Sequence, residues 1–557
     1  MSKKLAVTAI IEDEATSKFS VRISFTDING NKSSIIVARS LLNNPRRLVD
    51  ELEDHGAVFR FGRNTKNISQ RVCRLARNAK IISRAKDVGW QDDGSFVSFT
   101  KTYKSDASNV QAKIAPSSPY INHLVKKGDI EGWQNTVAKN ARYSSSMVFS
   151  ICAAFAAATL ESIGLNTFGF MLVGPPKIGK STIQLTAGTV IGFSEERHLP
   201  NFRRSEPGLE ELTASFNDHV LLVNGGELVA GETSEARAQK IRAFAYRLAE
   251  GQSKGFSKTV NRPTSFYRTI FIGSMEHRSV LQQRPMQSKQ ASGSEVRVFD
   301  ILAASKKSGD IFDRAPKYLK DSKRKKWADN IFSEIRAGAK ENCGVAYRPY
   351  VMHLIERQSA SQRFLKRETD RIFRKIAPTS NDAGIRHIAK DVSCVAAAGL
   401  LARKLKILPW SRKLIEASAK RCFNRAIKLL PNERAILGQA VKSLCTAFKT
   451  GALVDLRRKE TSKTALDVAK GYYTGSRKHR VVTIKGQDFI DLIGSNDLAF
   501  RLLQQWDKAG LINSRNRKAK ACKSVKDFES QTAWPNGKRP RSIQIQWNSK
   551  KIKKALR

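Results

Sequence analysis

The chain has 557 residues, 41% of them hydrophobic, enough for about three to four cored domains and too apolar for a disordered linker. Lys and Arg number 99 against 50 Asp and Glu, and the resulting net charge of +49 predicts a polyanionic partner. The seven cysteines form no Cys-x-x-Cys pair, which excludes a disulfide scaffold and a zinc knuckle. Met1-Ser2-Lys3-Lys4 does not open a signal peptide, and the apolar run from Met147 to Leu160 is shorter than a membrane span. A reduced, cytoplasmic protein with no membrane partner is expected.

Residues 1–128 read as a mixed α/β module. Val21, Ile23 and Phe25 alternate, and Asn29-Gly30 can turn the chain into Ile35-Ile36-Val37, a hairpin signature. Asn44-Pro45 is a cap and first-turn pair, followed by Leu48, Val49 and Leu52 at helical spacing as far as Gly56. Gly89-Trp90 with Phe96, Val97 and Phe99 predicts a second small sheet. From 129 to 335 the pattern becomes α/β. An Ala-rich helix over 143–162 precedes the apolar strand Phe168 to Val173, and further strands are expected at Val220–Val223, Arg268–Ile272 and around Val296–Phe299. Residues 336–456 read as a helical continuation, with Val392–Leu401 buried. In 457–557, helices at Asp488–Ile493 and Leu498–Trp506, a stop at Gly510 and a strand through Ile543, Ile545 and Trp547 predict a winged-helix-like domain with a basic tail. The fold class expected is therefore α/β: a P-loop NTPase core with an ASCE-like parallel sheet, flanked by these modules.

Gly174-Pro175-Pro176-Lys177-Ile178-Gly179-Lys180-Ser181 fits the phosphate-loop pattern, with Thr182 next and a strand before it. Glycines let backbone N–H groups surround phosphate oxygens, and the following helix adds its positive end. Lys180 would reach the β/γ-phosphates of ATP and the Ser181 hydroxyl would hold Mg²⁺. The strand at 220–223 runs into Asn224-Gly225-Gly226-Glu227, so Glu227 is the candidate base and second metal-side residue. Gly226 precedes it where a metal-orienting Asp would be expected; Asp218 or Asp300 could compensate. Ser274 ends the next strand as a γ-phosphate sensor, with Glu276 beside it, and Arg297 and Arg386 are candidates for an arginine supplied within or between subunits.

These segments together resemble the bacterial family of unknown function numbered 927, helicase-like or primase-helicase-like P-loop proteins often found on mobile elements. The resemblance runs through Gly89-Trp90, the loop Gly174–Thr182, the strand Leu221–Leu228 and Tyr246–Gly251. It continues through Ile272–Glu276, Gly293–Ile301 and Phe312-Asp313, then Arg386, Ala396–Gly399 and Pro409-Trp410, covering about 40–547. The chain departs from the family at Gly226, where an Asp is usual, and at Ser274, where Thr is usual. The family implies ATP, Mg²⁺ and a helicase-like hydrolase.

Basic residues cluster at Lys317–Lys326, at Arg515, Arg517, Lys518, Lys520 and Lys523, and at Lys538-Arg539-Pro540-Arg541, where a wing could lie along phosphate. Tyr472, Tyr473 and Trp534 could stack on bases, whereas Trp506 lies on an apolar helix face. Three classes stay open. One is an ATP-driven motor on single-stranded or forked DNA, a homo-oligomer and possible ring with room for a primase or other replication partner. The second is a degenerate, non-hydrolysing nucleotide- and nucleic-acid-binding module, and the third a P-loop protein acting on protein or RNA.

Overall fold

The computed structural model describes residues 5–59, 64–99, 101–106, 112–116, 120–229, 234–252, 266–276, 297–304, 309–316, 318–377, 383–430, 433–457, 469–476, 480–494, 496–514, 522, 524–548 and 552. The chain forms two compact units, Met1–Arg278 with Val296–Ile427, and Ser279–Glu295 with Lys428–Arg557.

The first unit opens with strands β1 (Ala6–Asp13), β2 (Lys18–Thr26) and β3 (Lys32–Ala38), then helices α1 (Pro45–Asp54) and α2 (Thr65–Arg77) and strand β4 (Ile81–Arg84). Gly30 takes φ +85° in the turn between β2 and β3, a conformation only glycine adopts without strain. The Asn44 side chain accepts from Arg47 N at 3.2 Å and caps α1. The sheet order is β3-β2-β1-β4, with β4 parallel to β1. Val21, Ile23, Phe25, Ile35 and Val37 share a core with Leu48, Val49, Leu52 and Val72 of the two helices.

A three-stranded sheet follows, made of β5 (Gly89–Trp90), β6 (Phe96–Val97) and β7 (Thr102–Tyr103). Its attachment explains the Gly-Trp pair. Trp90 N donates to Asp218 Oδ2 at 3.0 Å and Trp90 Nε1 to Ala158 O at 2.8 Å. Gly89 has φ +96°, and a β-carbon there would collide with the Asp218 carboxylate. Gly89→Ala should therefore cost about 1–3 kcal/mol of stability through strain and a lost approach. Thermal unfolding checks this; an unchanged midpoint would contradict it.

The core begins with helix α3 (Ser145–Ala156), continued helically to Ile163. By length and composition Ser145–Ile163 could cross a membrane, but 83% of its apolar window is buried inside the fold. Strand β8 (Phe168–Val173) leads through the glycine loop into α4 (Lys180–Ile191). Helix α5 (Glu206–Ala214), strand β9 (Val220–Val223), helix α6 (Ser234–Glu250) and strands β10 (Ile270–Met275) and β11 (Val298–Leu302) complete the α/β part. The sheet is parallel throughout, in the order β11-β8-β10-β9. Strand β10 extends three residues beyond the expected Arg268–Ile272, so Ser274 belongs to the strand. Helices α7 (Asp321–Glu341), α8 (Tyr347–Glu356), α9 (Gln358–Ile376), α10 (Ala383–Lys404) and α11 (Arg412–Ile427) follow. Ala396, Ala397 and Ala398 of α10 are buried, and Gly399 lets the helix approach Cys152 of α3.

The second unit contains α12 (Glu433–Lys449), β12 (Leu453–Asp455), β13 (Gly471–Thr474) and β14 (Arg480–Lys485). These are followed by α13 (Gly486–Ile493), α14 (Asn496–Lys508), β15 (Ser530–Gln531) and β16 (Arg541–Trp547). The sheet order is β12-β13-β14-β16-β15. Leu502, Leu503 and Trp506 of α14 pack with Val482, Ile484, Ile543 and Ile545. Trp506 is wholly buried, as its helix face predicts. Tyr472, Tyr473 and Trp534 are also buried, at 7%, 8% and 4% exposure, so they are core rings and not a stacking platform. Lys538, Arg539 and Arg541 form an exposed approach to β16. Arg515, Arg517, Lys518, Lys520 and Lys523 lie outside the described residues, as does Lys317.

Candidate functional site

The C-terminal ends of parallel strands are where α/β sheets gather ligands, and three sequence-predicted segments meet there. The loop after β8 uses two left-handed residues, Lys177 at φ 60° and Gly179 at φ 101°. A β-carbon on Gly179 would lie 2.6 Å from the Phe332 ring, and one on Gly174 would lie 2.6 Å from Ile178 Cδ1. Gly179 is needed for the loop to close, whereas at Gly174 only the flexible tip of Ile178 stands in the way. Lys180 is buried, and its Nζ donates to Gly174 O and Pro175 O, each at 2.7 Å. Burial lowers its ammonium pKa below the ordinary lysine range, while the nearby charges of Glu227 and Glu276 pull the other way.

Beside the loop, the first residue after β9 links the start of α4 to the end of β10. Asn224 Nδ2 donates to Ser181 Oγ at 3.0 Å, and Ser274 Oγ donates to Asn224 Oδ1 at 2.6 Å. Gly225, at φ 73°, turns the chain so that its N–H donates to Ser274 Oγ at 3.2 Å. The side chain reaching Ser181 is thus Asn224 and not residue 226. The sequence signal for this amide is its place directly after the four-residue apolar strand. Gly226 also has no room for a side chain, since a β-carbon there would sit 2.9 Å from Met275 Cβ and 3.1 Å from Ser274 O. Glu227 is exposed in a short turn over Gly226–Leu228, and Glu276 directly follows β10.

The remaining candidates lie elsewhere. Because Val298 pairs with Gly169 and Leu302 with Val173, Arg297 is at the N-terminal end of the strands, opposite the end that carries the glycine loop. Its charge acts on His387, and neighbouring Arg386 is exposed with its guanidinium 5.4 Å from the Phe373 ring. Neither arginine joins this chain's own loop. Asp218, just before β9, is also at the N-terminal end of the strands. It accepts from Arg268 Nε at 3.0 Å as well as from Trp90, and burial raises its pKa to about 6. Asp300 is buried mid-strand opposite Met171. Neither acid compensates for Gly226. A cavity of about 360 Å³ lined by Trp90, Asp92, Glu161, Gln358 and Ser361 is likewise remote from the loop. Among the described residues no group of three or more His, Cys, Asp or Glu could hold a metal.

Residues 1–263 match the family described as "Domain of unknown function (DUF927)". That match spans 263 of the 557 residues, just under half of the chain. The match includes the glycine loop and Asn224–Glu227, and it ends before Ser274, so it is narrower than the resemblance read from the sequence. Among solved structures, the one described as "SCCmec type IV Cch - active helicase" shares this chain's fold. Its TM-score is 0.65 over 99% of this chain and 94% of that chain, at 15% identity. The apo A form of the NrS-1 C-terminal region matches at 12% identity over 70% of this chain and 83% of that one, but its TM-score of 0.27 carries no argument. No curated protein matches.

Proposed function

We propose that this protein binds ATP with Mg²⁺ and hydrolyses it slowly while engaged on single-stranded or forked DNA. The observation that carries the reading is the hydrogen-bonded set Ser181–Asn224–Ser274 beside the buried Lys180, at the C-terminal ends of three adjacent strands. Insertion of β10 between β8 and β9 supports an ASCE-like core. The strand–helix–helix–strand path β14-α13-α14-β16 supports a winged helix.

Lys180 is placed to leave the loop carbonyls for phosphate oxygens, and the open start of α4 adds its N–H groups. Hard cations take oxygen ligands, so Ser181 Oγ with Asn224 Oδ1 fits Mg²⁺ in kind, although both are neutral donors. When bound, Mg²⁺ would neutralise phosphate charge. Ser274 would sense the γ-phosphate, and Glu227 would orient water and take its proton. Arg297 and Arg386, being far from this chain's loop, are left for a neighbour's site in a homo-oligomer, a ring included. A second reading, a nucleotide-binding switch without turnover, is favoured by the amide at 224 where a carboxylate would anchor metal.

Lys538, Arg539 and Arg541 are the expected phosphate contacts of the second unit. Changing all three to Ala should weaken single-stranded DNA binding. The slope of log affinity against log salt should also flatten by about 2, at about 0.7 per contact. Unchanged affinity and slope would remove the wing from the DNA site.

A further inference from the structure

Helix α7 packs directly on the glycine loop and carries an arginine to the start of α4. Phe332 of α7 sits against Gly179, and its ring centre lies 4.9 Å from that of Phe312, the two rings tilted by 47°. One turn later, Arg336 Nη2 lies 3.2 Å from Thr182 Oγ1 and Arg336 Nε lies 2.9 Å from Glu196 Oε1. Thr182 Oγ1 donates to the same Glu196 oxygen at 2.7 Å. The Arg336 side chain is nevertheless 51% exposed, with its guanidinium 5.8 Å from the Phe332 ring. It is anchored on one side and open on the other.

The first backbone bond of α4 runs from Ile183 N to Gly179 O, so the N–H groups of Lys180, Ser181 and Thr182 precede its hydrogen-bond ladder and point out of the helix start. Consecutive helical side chains diverge by about 100°, which sends Ser181 toward Asn224 and Thr182 toward Glu196 and Arg336. The loop is thus flanked by Ser274 and Asn224 on one side and by Arg336 on the other.

We infer that Arg336 is a nucleotide-contacting residue, exchanging Glu196 for phosphate oxygens on the side of the loop away from the γ-phosphate sensor. The inference rests on the ATP-binding reading. A guanidinium presents a planar fork of donors suited to phosphate, and its hold on Glu196 keeps it beside the loop until the anion arrives. Since its side of the loop is opposite Ser274, it serves the diphosphate portion common to ATP and ADP.

The test is calorimetric titration of ATP and ADP into the full-length native protein and the variants Arg336→Ala, Arg336→Lys, Glu196→Gln and Lys180→Ala, with thermal midpoints measured in parallel. Arg336→Ala should weaken ATP and ADP equally, by about tenfold, and Arg336→Lys should recover part of that. Glu196→Gln, which removes the competing carboxylate, should tighten both nucleotides. If Arg336→Ala binds both as the native protein does while Lys180→Ala does not, the inference falls and the ATP site stands. If neither variant loses binding, the ATP site falls with it. If Arg336→Ala and Glu196→Gln both lose binding and both unfold at lower temperature, the three-residue network is only a scaffold and the inference is overturned.

Discussion

Replacing Lys180 with Ala is expected to weaken ATP binding ten- to hundredfold, about 1.4–2.8 kcal/mol. The ammonium is already buried and bonded to two loop carbonyls, so little reorganisation is needed to turn it toward phosphate. Removing it deletes a full charge aimed into the loop, and charge-assisted bonds to phosphate exceed neutral ones in strength. The loop itself should persist in the variant, because its path is set by Gly179, left-handed and packed against Phe332. Labelled-ATP binding with circular dichroism as the fold control checks this. Native-like affinity in a folded Lys180→Ala protein would remove the phosphate-loop assignment.

The parts of this fold most legible in sequence are those whose signal is local. The strand at Phe168–Val173 is apolar at every position because it is buried on both faces, and its bounds follow from that run. The cap at Asn44 and the turn at Gly30 are dictated by single residues with specific backbone roles. What sequence concealed depends on which strand ends become neighbours. Asn224 and Ser274 are 50 residues apart, and their meeting follows from β10 lying between β8 and β9. The distance of Arg297 from its own chain's loop was hidden for the complementary reason: a residue before a strand and one after it look equally near the strand in sequence, yet they stand at opposite ends of it. Asp218 looked like a spare catalytic acid and is instead the anchor of the Gly89-Trp90 module. Nothing local distinguishes those roles.

The same geometry relocates the missing charge of the site. Asn224 already bridges Ser181 and Ser274, and both partners are hydroxyls able to donate to a carboxylate, so Asn224→Asp should fit without moving the backbone. Gly226→Asp should not, because its β-carbon meets Met275 and Ser274 O. A carboxylate at 224 would favour Mg²⁺ at the site, whereas Glu227→Gln keeps the shape and deletes the base. The deciding measurement is steady-state phosphate release at saturating ATP, titrated with Mg²⁺, with and without single-stranded DNA, for the native protein, Asn224→Asp and Glu227→Gln. The account predicts slow native release stimulated by DNA, a further rise or a lower Mg²⁺ requirement in Asn224→Asp, and a loss of about a hundredfold or more in Glu227→Gln with ATP still bound. Native and Asn224→Asp proteins no faster than Glu227→Gln would contradict it and leave a nucleotide-binding switch in place of a motor.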